Sequence, residues 1–203
     1  MKTILFISVV VISSALNADT CEPSSRHAGP SLMSPDYKYE LLNLFCLSHV
    51  DGQEMAFVLR DVSANKRRTL YVYGRAANAL WSPGGQRIAV NDFAGSDYTN
   101  NVVISVRKNT ASVDVKEHLL RIEPKDKSLQ SDHLYLSITQ WKSPDTVKVL
   151  AWGHDSTSRT AFCECFLVSL AGSASKCEIP TNKRHSEEYC DGLNKSRTST
   201  IVK

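Results

Sequence analysis

The chain has 203 residues, 42% of them apolar, enough to build one hydrophobic core and therefore one domain. Its 24 basic and 21 acidic residues leave a formal charge of +3 and are spread along the chain, so no phosphate-binding stripe forms and nucleic acid is excluded as a partner. The densest basic spot, Lys66-Arg67-Arg68, reads as the solvated tip between two strands.

In chain order, Lys2 precedes the apolar run Ile4 to Ile12, and small or polar residues follow. A charged start, an apolar middle and a small-residue exit are the order of a secretory signal, with cleavage expected near Ala18, so residues 1–18 are assigned as signal peptide and the mature protein as secreted or periplasmic. The run is shorter than the roughly 18 residues that span a bilayer, so no transmembrane anchor is expected after signal removal. Asp19 and Thr20 before Cys21 lack the small apolar residues of a lipidation site. Residues 19–38, rich in Ser, Pro and Gly, read as an irregular lead-in.

From Tyr39 the text changes to short runs rich in Val, Ile, Leu, Tyr and Phe, bounded by turn residues: "ELLNLFCLSHV", "EMAFVLRDV", "RTLYVYG", "RIAVNDF", "NVVISVRK", "HLYLSITQW", "TVKVLAWG" and "FCECFLVSL". This is the pattern of strands, and it predicts an all-β fold of antiparallel meander sheets over residues 39–181. "VKEHLLRIE", Val115 to Glu123, fits a strand or a helical turn and is assigned as a strand. The end, 182–203, is polar and predicted to be a loosely held tail anchored through Cys190.

Six cysteines, Cys21, Cys46, Cys163, Cys165, Cys177 and Cys190, follow the signal. In an oxidising compartment they predict three disulfides, with 15 possible pairings. On a strand, Cys163 and Cys165 sit two rises apart on one face, near the upper limit for a bond, so they should pair elsewhere. One is expected to reach Cys177 across a hairpin, and Cys190 and Cys21 to tether the chain ends. A lone C-x-C with scattered histidines does not make a zinc site, and neither metal nor cofactor is predicted.

The segments beginning at Leu70 and Leu134 share one order: strand, Trp, Ser-Pro turn, strand, polar loop, strand. Trp81-Ser82-Pro83-Gly84-Gly85 aligns with Trp141-Lys142-Ser143-Pro144-Asp145, and a weaker copy without tryptophan is placed at Phe45 to Asp61. The stretch "WSPGGQRIAV" resembles the W-S-P-D-G-x-x-I-A-[FV] signature of the propeller repeats of the TolB C-terminal domain and of prolyl-oligopeptidase-type propellers, with Gly84 in place of Asp. The second copy keeps Ser-Pro-Asp and has Thr146 in place of Gly. The resemblance implies a small or incomplete β-propeller-like array stapled by disulfides, each Trp packing between neighbouring sheets. A closed ring needs about four to eight blades of roughly 40 residues, and only two or three are legible.

No catalytic set survives counting. S-x-x-K recurs at Ser63, Ser105 and Ser173 without companion elements, and G-x-S-x-G, H-E-x-x-H and phosphate-binding loops are missing. Two polar loops in equivalent places, 91–101 and 152–160, are the candidate binding surface and should emerge on one side. Their candidate residues are Asp92, Asp97, Tyr98, Asn100, Asn101, Trp152, His154 and Asp155. Asp92, Asp97, Asn100 and Asn101 could offer oxygens to calcium, but the spacing of a calcium loop is missing, and turn hydrogen bonding is the expected role. Asn194-Lys195-Ser196 is a glycosylation sequon. The expectation is a non-catalytic binding protein with a protein partner, of inhibitor or immunity type by analogy. The alternatives are an exported hydrolase or carbohydrate-active protein using His154, Asp155 and Asp97, and a Tol-type envelope component.

Overall fold

The computed structural model describes residues 22–47, 54–95, 98–107, 112–156 and 161–179. The signal segment, Cys21, Asp97, the 182–203 tail with Cys190 and the Asn194 sequon lie outside the described residues. Three antiparallel meander sheets follow one another along the chain. The first contains β1 (Pro23–His27), β2 (Leu32–Met33), β3 (Tyr39–Cys46), β4 (Met55–Asp61) and β5 (Arg67–Tyr73), in the order β1-β3-β4-β5 with β2 also paired to β3. The second is β6 (Ala77–Trp81), β7 (Arg87–Asp92), β8 (Asn100–Ser105) and β9 (Val113–Asp114). The third is β10 (His133–Ser143), β11 (Thr146–His154), β12 (Ala161–Ser169) and β13 (Ser173–Lys176). Among the described residues the sheets form an incomplete propeller-like array, with no closed barrel.

Period-two alternation lets the middle sheet serve both neighbours. Ile88, Val90 and Val102 point one way, into a core with Leu41, Phe57 and Leu59 of the first sheet. Ala89 and Val103 point the other way and pack with Leu136, Ile138, Trp141 and Val149 of the third. The two tryptophans do equivalent jobs. Trp81 Nε1–H donates to the Leu32 carbonyl at 3.0 Å, and Trp141 Nε1–H to the Leu80 carbonyl at 3.1 Å, so each indole bonds the sheet before its own.

The lead-in expected to be irregular carries strands β1 and β2, and it holds the true first repeat. Ser34-Pro35-Asp36-Tyr37 closes β2 onto β3 as Ser82-Pro83-Gly84-Gly85 closes β6 onto β7. In each turn the serine carbonyl accepts the N–H of the fourth residue at 2.9 Å, and the serine hydroxyl accepts the N–H two residues further on, at 3.0 Å. The fourth residue is left-handed in both, Tyr37 at φ 59 and Gly85 at φ 66. The copy placed at Phe45 to Asp61 is therefore displaced: those residues supply the end of β3 and strand β4.

"VKEHLLRIE" is a helix, not a strand: α1 spans Val115–Ile122. Asp114 caps its start by accepting the Glu117 N–H at 2.9 Å, and Val115 and Leu119, four apart, are fully buried against the core shared by the second and third sheets. Spacing at i and i+4 with a preceding Asp outweighs the local apolar run. His118, also buried, donates from Nε2 to the Ser169 carbonyl at 2.9 Å while its Nδ1 accepts from Arg121 at 2.7 Å. The Cys165–Cys177 bond crosses the β12–β13 hairpin as expected, with Cα atoms 5.0 Å apart. Cys46 and Cys163 are also disulfide-bonded.

A buried polar ladder joins the second sheet to the third. Asn91 donates from Nδ2 to the Ile138 carbonyl at 2.9 Å and accepts the Ile138 N–H at 2.7 Å. Thr99 does the same for Leu136, donating at 3.0 Å and accepting at 2.9 Å. Asn101 donates to Asn91 Oδ1 at 2.8 Å and to the Leu136 carbonyl at 3.1 Å. Replacing Asn91 with Ala strands both backbone groups of Ile138 in a buried setting. At about 1–3 kcal/mol per orphaned group, urea unfolding of Asn91→Ala should show a loss of about 3 kcal/mol or more. A loss below about 1 kcal/mol would show that the ladder carries no such weight.

Candidate functional site

The two polar loops open at the same end of the array. Thr99, in the β7–β8 loop, lies against Leu136 near the start of β10. The first residue of β10, His133, faces His154, the last residue of β11 before the β11–β12 loop. The ladder that joins the sheets thus also sets one loop beside the other.

The candidate residues do not form a single cage. Asp92 and Asn100 are opposite each other in register and point towards the first sheet. Asp92 Oδ2 accepts the Tyr71 hydroxyl at 2.9 Å and Asn100 Nδ2 at 3.4 Å, and its Oδ1 is buried without a hydrogen-bond partner among the described residues. Burial, reinforced by the bond to Asp92, pushes the Tyr71 phenol well above its ordinary pKa, so it remains a donor. Asn101, next in sequence, points to the opposite face and is completely buried in the ladder. Consecutive strand residues face opposite ways, so Asp92, Asn100 and Asn101 cannot converge on one calcium ion, and Asn101 is removed from the binding surface. Tyr98, by contrast, is 48% exposed.

Trp152 and His154 belong to a set that sequence reasoning saw only in half. On the face of the third sheet turned away from the second, two directly opposed pairs stack: His133 on His154, with ring centres 4.3 Å apart, and Tyr135 on Trp152, at 5.8 Å. All four rings are half-buried, as is Asp155 at the loop's edge. Cys163 faces Trp152 across the β11–β12 ladder, and Cys165 shares its side of the strand, so disulfide bonds staple the same face. The signal for His133 and Tyr135 is the alternation in "HLYLSI": the leucines and isoleucine enter the core, and the intervening residues must face out.

The backbone that carries the rings is tied down on both strands. Gly153 lies between Trp152 and His154, and a Cβ there would sit 1.7 Å from the His133 carbonyl oxygen. Ser131 donates to the His154 carbonyl at 2.6 Å. Asp132 reaches across to the loop, where its Oδ1 accepts the Ser156 N–H at 3.1 Å and its Oδ2 accepts the Ser156 hydroxyl. These bonds, the Ser156 hydroxyl first, hold the Asp132 carboxyl below the ordinary carboxylate range. The arrangement offers flat, rigid, amphipathic rings with polar edges, suited to recognition. His154 stacks on His133, and Asp92 is bonded to Tyr71.

Compared with known proteins, the chain matches no family model and no curated sequence.

Two outcomes follow from this geometry. Gly153→Ala should push β10 away from β11 at this end, seen as loss of the ring-current shifts of the His133–His154 stack in NMR spectra while the ladder amides of Leu136 and Ile138 keep their protection. Because the Asp132 pKa is depressed, its tether to Ser156 is complete above the ordinary carboxylate pKa and lost as pH falls through the depressed value. The Ser156 amide should therefore move upfield and exchange faster only in strong acid; a transition near neutrality would contradict this.

Proposed function

We propose that the chain is an exported, non-catalytic binding protein that presents its loop end and the adjoining aromatic face to a protein partner. The observation that carries this reading is the pair of stacked couples, His133–His154 and Tyr135–Trp152, held half-buried on one sheet face. Rigid aromatic side chains of this kind concentrate binding energy at protein interfaces, since they bury a large area while losing little conformational freedom. Exposed Tyr98 extends the surface at the same end. Export is supported by Lys2 with the apolar run Ile4 to Ile12 and by the Cys165–Cys177 disulfide. No described helix is long and apolar enough to cross a membrane. The Ser-Pro turns of the first two sheets and the repeated indole-to-backbone bonds support kinship with propeller repeats of the TolB type.

The test uses the mature protein as bait against the exported fraction of its source, with purified partner then titrated by calorimetry. A stoichiometric protein partner is expected, and Trp152→Ala should weaken it by roughly 30-fold or more, the cost of removing an interface anchor. Turnover of a small substrate without any partner, or a partner whose affinity is indifferent to both Trp152→Ala and Tyr98→Ala, would remove this function.

A further inference from the structure

The opposite end of the array carries a different chemistry. β8 runs from the loop end to Ser105, and just beyond it the β4–β5 hairpin tip of the first sheet leans on the second, where Arg68 Nη2 donates to the Val106 carbonyl. Between the two sheets lies a cleft of about 540 Å³, the size of a small-molecule site. Its floor is apolar, with Leu59 and Val106 both buried. Its walls carry Lys66, Arg68 and Arg107, while Arg67 only borders it, because its side chain alternates with that of Arg68 to the face it shares with Arg60 and Glu40.

Three cations in one cleft repel one another unless something neutralises them, because they lie within a Debye length of about 8–10 Å. The carboxylate on the lining does so only in part: Asp61 acts on Lys66 through its charge but makes no ion pair with it. Asp61 Oδ1 is turned into the hairpin tip, where it accepts the N–H groups of Ser63 and Ala64, each at 2.9 Å, and the Ser63 hydroxyl at 2.7 Å. Its role is to fold the tip, with Asn65 left-handed at φ 49, so that Lys66, Arg67 and Arg68 enter the strand in sequence. Among the described residues none of Lys66, Arg68 and Arg107 is ion-paired with a carboxylate, whereas Arg87 in the neighbouring cleft is paired with Asp145. The hairpin tip is thus more than a solvated turn. It holds positive charge against an apolar floor with no ion pair to a carboxylate among the described residues.

We infer that this cleft binds a small ligand carrying a phosphate group on an apolar or aromatic body, the phosphate met by Lys66 and Arg107 and the body seated on Leu59 and Val106. Guanidinium groups meet phosphate oxygens through paired N–H donors, and lysine adds a point charge. The phosphate can belong to a free phosphate monoester or to a lipid headgroup, and the two are separable. Phenyl phosphate and inorganic phosphate are titrated into the full chain by calorimetry, and vesicles of phosphatidylcholine with and without phosphatidic acid are tested by co-sedimentation. Phenyl phosphate should bind saturably and more tightly than inorganic phosphate, and each of Lys66→Ala and Arg107→Ala should weaken it about tenfold, with added salt acting in the same direction. Both side chains are exposed, so the variants keep their fold, checked by urea unfolding. Binding to phosphatidic acid vesicles alone, lost in the same variants, assigns the phosphate to a headgroup. Absence of saturable binding to either probe, or binding unchanged in the Lys66→Ala, Arg107→Ala double variant, overturns the site. Neither result touches the ring face, where Trp152→Ala is the separate test.

Discussion

An edge strand presents unpaired amide groups on every second residue, and burying that edge without partners is costly. β10 is the edge strand of the third sheet that meets the second. Its outward-facing backbone groups at Leu136 and Ile138 are met by Thr99 and Asn91, each giving one donor and one acceptor. A side-chain amide has the hydrogen-bonding capacity of the peptide unit that would have lain there had the sheet continued. The second sheet therefore pairs with β10 through side chains, much as a neighbouring strand would through its backbone. The apolar layers supply most of the attraction between sheets, but they are non-directional. The ladder and the two indole bonds supply direction, so the register of one sheet on the next is specified along with their contact.

The consequence for the loop end is mechanical. Thr99 is both a loop residue and a rung of the ladder, so the β7–β8 loop departs from a point already bonded to the third sheet. On the other side, Asp132 and Ser131 bind the departure of the β11–β12 loop to the start of β10. A recognition surface gains affinity when its rings are positioned before the partner arrives, because little freedom is then lost on binding. The stacked couples meet that condition: they are directly opposite across a regular stretch of ladder, at a place where Gly153 lets the two backbones approach.

Much of the architecture was legible. Trp81 and Trp141, each followed by a Ser-Pro turn, announce two sheets, and alternation within the strands assigns their faces. The first sheet was obscured because Met33 stands where a tryptophan would, and because Tyr37 occupies the left-handed position that invites a search for glycine. Ser34-Pro35-Asp36 alone was the surviving mark. The ring couples were hidden for another reason. Counting outward from the Ser143–Thr146 turn sets Ser156 opposite His133, and two irregularities in the β10–β11 ladder bring His154 there instead. Register errors of that kind are invisible to composition, since bulges are decided by local strain and packing. Asn101 was misread because a polar residue beside a loop looks solvated until the edge it serves is known.

The two ends of the array answer to different physics and are insulated from each other. Strand β8, with six residues, spans about 20 Å between them at ~3.3 Å per residue. That exceeds the Debye length of about 8–10 Å at physiological salt, so the charge held by Lys66 and Arg107 is screened at the ring face. Coupling through structure would need an element with two arrangements, and the elements between the ends are doubly bonded strands of a packed core. Occupation of one end should then leave the affinity of the other unchanged, and substitutions at the two ends should add. A rigid array of stacked sheets, closed or not, is for that reason a natural carrier of separate surfaces: its sheets fix the positions of both ends while transmitting almost nothing between them.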